Sequence, residues 1–469
     1  MSLVSSAHGG AAAHAPSHQE LRNWLLFVLS GVAIFALQPS TPIRQLDFWL
    51  PLFSLSLSTI VWAATTPAPN RAALRDALAL GGVLVVMLAS RHLEPLAGLW
   101  GRAQAPSPIG AAIVAVAVAG AAFALHSYFT PKATSLVILT VTMLGLLIAL
   151  KFAPATQALS AGFRWMQGQS IAQASALDVQ WLGFSYLAFR LVHVIRERAT
   201  GKLPALSLRE FITYAVFFPT LIAGPIDRAE RFVKDLRAGF TFNADDLAEG
   251  ARRIAWGLFK KFVLADTLAL IALNEVNATQ SHSGFWTWVM VYAFALRIFL
   301  DFSGYTDIAI GVARAFGVKL PENFSRPYLK PNLTQFWNSW HMTLAQWFRA
   351  YYFNPLTRAL RQRGWAAPII IAIAQISTML LIGLWHAITP NFAIWGLWHG
   401  VGLFVHNRWA EWTKSHPLLP SRSAALQQVA SAAGTLLTFH YVALGWVWFA
   451  VSDTSTALSV LQSLIGWQR

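Results

Sequence analysis

The chain has no cysteine. Disulfide bonds, thiolate metal centres and a cysteine nucleophile are therefore excluded from any account of its fold or chemistry. Charge is the second scarcity. Only 12% of the 469 residues are charged, about half the share usual in soluble domains. A soluble protein of this length needs more polar surface than that, so much of the apolar surface must face lipid. Acidic residues are scarcer still, 20 against 35 Lys and Arg, for a formal charge of +15. Nucleic-acid binding is not implied, because the basic residues occur as short clusters between apolar runs: Arg196 to Arg198, Arg228 to Arg237, Arg358 to Arg363. That pattern fits cytoplasmic loops under the positive-inside rule and contact with anionic headgroups.

What the chain does have is hydrophobic length. A bilayer core of about 30 Å needs about 20 apolar residues per helix. Candidate stretches run near 24–38, 47–64, 76–90, 108–129, 133–152, 178–195, 209–224, 251–273, 284–300, 303–317, 366–388, 392–410 and 432–451. This predicts an all-α integral membrane protein of about a dozen transmembrane, re-entrant and interfacial helices around a central cavity. The division expected is a polar tail over 1–22, transmembrane helices over 23–175, a core over 176–410, and a loop with a last helix over 411–469. The tail lacks a basic start and the run at 24–37 lacks a small-residue cleavage pattern, which predicts a retained first helix. His8, His14 and His18 are spaced as in a loose tail.

Intramembrane polar groups concentrate in 176–410. Pro219 and Pro225 bracket a break, tolerated at membrane depth only where protein or water satisfies the freed backbone. The richest segment, Asn332 to Phe353, is aromatic yet carries Asn338, Ser339, His341, Thr343, Gln346 and Arg349. On a continuous helix Trp337, His341 and Ala345 would share a face, and an interfacial amphipathic helix would give the same pattern. His386 ends an apolar run. An imidazole in a span usually faces the bundle interior or a watery path and titrates close enough to neutrality to act as a base; a structural histidine bonded to a neighbouring helix is the alternative. His399 and His406 follow on one face. A metal site from residues 386, 399 and 406 has no carboxylate to complete it, so no metal is expected. Arg297 and Asp301, four apart, are expected to pair, with a helix break near Gly304 beside Asp307.

Six ordered motifs carry a family resemblance: Phe217-Phe-Pro-Thr-Leu-Ile-Ala-Gly-Pro-Ile226, Trp256-Gly-Leu-Phe-Lys-Lys261, Asp301-Phe-Ser-Gly-Tyr-Thr-Asp-Ile-Ala-Ile-Gly311, Leu320-Pro-Glu-Asn-Phe-Ser-Arg-Pro-Tyr328, Phe336-Trp-Asn-Ser-Trp-His-Met-Thr-Leu344 and Gly383-Leu-Trp-His386. Over 181–400 the chain resembles the membrane-bound O-acyltransferase family, in the branch that acetylates bacterial exopolysaccharides such as alginate. Ala350 and Ala387 stand where that branch usually has Asp and Gly. The resemblance implies catalytic roles for His386, as base or acyl-handling group, and His341, which orients it or the thioester. Asn338, Trp340, Trp385, Gln346, Arg349 and His399 are the expected substrate-binding residues. It also implies acetyl-CoA as donor with no permanently bound cofactor, an exported polysaccharide acceptor, a periplasmic or membrane-tethered acetyltransferase partner, and the bacterial inner membrane. D-alanyl transfer to a teichoic-acid-like polymer is the nearest alternative. A transporter using the two histidines as a proton relay is the alternative of another class.

Overall fold

The computed structural model describes residues 17–66, 72–93, 106–128, 133–241, 243–281, 283–416 and 424–466. The tail through residue 16, with His8 and His14, lies outside them. Every regular element among the described residues is helical. Five helices are long and apolar enough to cross a bilayer: Leu46–Thr65, Ala73–His92, Gly284–Ala315, Ala367–His386 and Ala424–Ala450. A sixth candidate is the pair Thr134–Ala149 and Ala153–Met166, bent by 92° at the break between them. The all-α membrane architecture expected from hydropathy is what the chain forms. Helix begins at His18, inside the stretch assigned to the polar tail.

Several expected stretches are corrected. The runs 284–300 and 303–317 are one helix, Gly284–Ala315, with no break at Gly304. It runs on because Gly304 serves as a contact point: a Cβ there would lie 2.8 Å from the Gly257 carbonyl oxygen, and one on Gly257 would lie 2.6 Å from that of Gly304. Small residues let two backbones meet where lipid supplies no hydrophobic drive for association. The partner is Ala244–Leu258, continued by a π-helical stretch Phe259–Ala265. Asp301 pairs with Lys261 at 2.5 Å rather than with Arg297, and Asp307 takes Lys260 at 2.5 Å and Arg253 at 3.1 Å. The carboxylates thus tie two helices together instead of stapling one.

The stretch 209–224 is not a span. A short helix, Leu208–Ala215, opens on a capping box of Ser207 and Glu210, and only a single 3-10 turn, Phe218–Thr220, interrupts the irregular chain that follows to Pro225. The freed carbonyls find a buried guanidinium: Arg190 donates to Tyr214 O at 3.2 Å, Ala215 O at 2.9 Å and Thr220 O at 2.8 Å. An arginine offers five donors in a fixed fork, which suits a break with several stranded acceptors. Arg190 belongs to Phe184–Ala199, the helix around which the site is arranged.

Two helices, Ala367–His386 and Pro390–Ser415, form a tight hairpin. Thr389 caps the second through its hydroxyl, and Pro390 occupies its first turn, where a missing N–H costs nothing. The hairpin closes on glycine: a Cβ on Gly396 would lie 2.6 Å from Met379 O, and one on Gly383 would strike Phe392 O.

Candidate active site

The segment 332–353 does not form the continuous helix expected of it. Leu333–Trp337 ends where the Ser339 hydroxyl turns back to Gln335 O at 2.7 Å and Phe336 O at 2.9 Å. A new helix, Met342–Phe348, starts under the control of Asn323. The buried Asn323 side chain accepts from the Thr343 hydroxyl at 2.6 Å, and the Asn323 backbone carbonyl accepts from Met342 N at 3.0 Å. Between the two helices His341 adopts φ +42° and ψ +52°. Left-handed backbone at a non-glycine residue is strained and collects at functional sites. The face once expected to join Trp337, His341 and Ala345 is therefore broken by a turn.

The turn delivers the His341 imidazole into the protein interior, against Phe302 at 4.7 Å between ring centroids. Trp385, at the end of the hairpin's first helix, lies 6.4 Å from His341 and 4.6 Å from His386. One indole thus packs against both imidazoles. The series continues from His386 to Trp395 at 5.7 Å, from Trp395 to His399 at 5.1 Å, and from His399 to Trp337 at 5.1 Å. Three histidines and three tryptophans form one unbroken file of rings. With the Trp395 ring packed against both His386 and His399, and His406 bonded to the Thr334 hydroxyl at 3.1 Å, these histidines do not gather around a metal-sized point.

The polar atoms of this file are poorly served by the chain. Both ring nitrogens of His341 and of His399, and the indole nitrogens of Trp337, Trp385 and Trp395, are buried without a protein partner. A buried polar atom left unpaired costs roughly 1–3 kcal/mol. Seven such atoms along one file are a concentrated cost, of the kind found where groups are kept free for chemistry.

Other expected site residues are placed apart. Arg349 donates to Asn338 Oδ1 at 2.8 Å, and both line a cavity of about 300 Å³ that reaches Trp337. Gln346 lines a different cavity of about 220 Å³, with His193, Arg228 and Tyr351. Trp340 sits among Phe324, Phe336 and Trp446 at centroid distances of 5.2, 5.6 and 5.1 Å, inside the aromatic core. Ala387 is extended, φ −159°, a conformation any residue adopts, so a side chain in place of glycine adds no strain there.

Two further cavities lie at opposite ends of Phe184–Ala199. At its C-terminal end, Arg196, Lys202, Arg228 and Arg358 line about 500 Å³ with one acidic neighbour, Glu197. This cavity shares Arg228, Ala350 and Tyr351 with the one that holds Gln346. The Tyr351 hydroxyl donates to Glu197 at 2.7 Å and meets His193 Nδ1 at 2.5 Å. At the N-terminal end, Trp181, Ser185, Tyr186, Trp385 and Lys151 line about 350 Å³. Lys151, Tyr186 and His193 were not singled out from sequence. The only signal for Lys151 is a lone charge closing the apolar run 133–152, which also reads as an ordinary interfacial lysine.

The profile of the MBOAT, membrane-bound O-acyltransferase family matches residues 123–443. The chain belongs to this family. The match begins well before the motifs at 181–400 and ends beyond them. The chain is 33% identical to the teichoic acid D-alanyltransferase of Bacillus subtilis over 277 residues, 58% of this chain and 69% of that protein. It is 34% identical to the peptidoglycan O-acetyltransferase of Helicobacter pylori, over 58% of this chain and 51% of that protein. Against the probable alginate O-acetylase of Pseudomonas syringae identity is 34%, over 59% and 50%. The chain therefore spans about half the length of these acetylating relatives. Family membership makes the chain a membrane-embedded acyltransferase and leaves the transporter reading without support.

Proposed function

We propose that the protein moves an acetyl or similar short acyl group from a cytoplasmic thioester to a hydroxyl of an exported polysaccharide, directly or through a partner acetyltransferase, with His386 and His341 as the catalytic pair. One observation carries the reading: two imidazoles share a single indole, Trp385, within a file of unpaired polar rings, and that indole also lines the cavity at one end of Phe184–Ala199. The basic cavity at the other end suits the phosphates of CoA, and its arginines match the side that the positive-inside rule assigns to the cytoplasm.

In the transfer, the acceptor oxygen attacks the thioester carbonyl carbon and its proton passes to His386. The C–S bond breaks, the proton goes on to the departing sulfur, and an ester and a free thiol result. His341 orients the thioester, and the Trp385 indole N–H is available to the developing oxyanion, where a positioned donor is worth most. Relatives named for acetyl transfer favour acetyl as the acyl unit, and the bacterial inner membrane is the setting proposed here. A second reading, D-alanyl transfer from a carrier-protein thioester, draws on the greater share of the D-alanyltransferase that the chain covers.

The test uses isolated membranes and labelled acetyl-CoA. His386→Ala should lower label transfer by roughly 10²–10⁴-fold, the range for loss of a general base, with the protein present at wild-type amount. Equal incorporation by both proteins overturns the assignment of His386. Label moving only from a D-alanyl carrier would select the second reading.

A further inference from the structure

Lys151 stands at the sharp corner between Thr134–Ala149 and Ala153–Met166. Its surroundings do not pair its charge. The ammonium reaches the His386 carbonyl oxygen at 3.4 Å and stands 5.9 Å from the centre of the Trp385 ring. Neither contact is with a carboxylate, and among the described residues no acidic side chain lies within ion-pair distance. An ammonium carries three donors, and the contact with His386 O uses one. The cavity of about 350 Å³ that Lys151 lines has no other charged residue in its wall. Its remaining polar residues include Gln180, Ser185 and Tyr186, beside Trp181 and Trp385. Sites for small polar ligands are built this way, with aromatic walls and a few placed polar groups.

Position adds to this. The corner is pinned to the helix end that carries His386, because the Ile388 amide donates to Lys151 O at 3.4 Å while Lys151 Nζ turns to His386 O. Whatever the ammonium holds is thereby held beside His386. The cavity lies at the end of Phe184–Ala199 remote from the arginine cluster. A donor drawn to that cluster does not occupy it.

We infer that this cavity is the acceptor subsite and that Lys151 selects an acceptor bearing a negative charge, a carboxylate or phosphate on the saccharide or polyol unit that presents the reacting hydroxyl. The inference rests on the acyltransfer reading for its purpose, but its observable is binding. Lys151 is a positioning and specificity residue: it forms no bond to the acyl group and takes no proton.

The test measures equilibrium binding of three probes to the full chain in lipid nanodiscs: an oligouronate hexamer, a glycerol-phosphate hexamer and a neutral hexasaccharide. Wild type should bind at least one anionic probe about tenfold or more tightly than the neutral one, and the probe preferred tells carboxylate from phosphate. Lys151→Gln should erase the preference while leaving neutral binding in place, and Lys151→Arg should restore most of it. A preference that survives Lys151→Gln, or no preference in wild type, overturns the inference. Equal weakening of all three probes by Lys151→Gln also overturns it, since that is the signature of a lysine that merely holds the helix end. Because no turnover is measured, failure here is distinct from failure of the labelled acetyl-CoA assay.

Discussion

At the scale of single residues, His341 shows how much of a site can rest on one backbone conformation. Its left-handed φ of +42° costs a non-glycine residue about 1–3 kcal/mol, and Asn323 from a separate segment enforces it. Glycine would relieve that strain and remove the imidazole together. His341→Gly should therefore melt at or above the temperature of His341→Ala in detergent, with both variants losing acyl transfer. A His341→Ala protein markedly more stable than His341→Gly would show that the conformation is not strained. The motif around His341 and the Trp-His pair at 385–386 were legible in the sequence, because an imidazole in an apolar run has few uses. The turn was not legible: Asn323 decides it from eighteen residues away. Lys151 escaped notice for a similar reason, since only the fold reveals that no carboxylate answers it.

Among the helices, hydropathy located the apolar stretches but misjudged where helices join or stop. Gly304 suggests a break when read locally, yet at the crossing with Gly257 it is what lets the Gly284–Ala315 helix continue. Lys260, Lys261, Asp301 and Asp307 lie on two helices, so their pairing could not be read from spacing within one. Gly257→Val should force the two backbones apart, an overpacking worth roughly 1–3 kcal/mol, and lower the amount of folded protein in membranes. Gly81→Ala and Gly145→Ala, where an added Cβ meets nothing within 4 Å, should leave that amount unchanged. Equal accumulation of all three variants, by fluorescence-detected gel filtration, would remove the crossing from the list of fold determinants.

For the molecule as a whole, charge is sorted between the ends of Phe184–Ala199: an arginine-rich cavity at one, a single lysine at the other. Alanine at 350, where the resembling branch usually has aspartate, leaves one less negative charge beside the basic cavity. Charge reversal there, as Lys202→Glu with Arg358→Glu, should raise KM for an acyl-CoA donor about tenfold and flatten its dependence on salt, with kcat at saturation retained. A KM unmoved at low ionic strength would take donor recognition away from this cavity.

The helix joining the two cavities also sets how far apart they are. From Tyr186, in one wall, to Arg196, in the other, is ten residues, or about 15 Å of helix rise. The apolar slab of a bilayer is about 30 Å. With donor and acceptor entering these two cavities as proposed, only about half of that layer would separate them, and each would need to immerse no more than its tip.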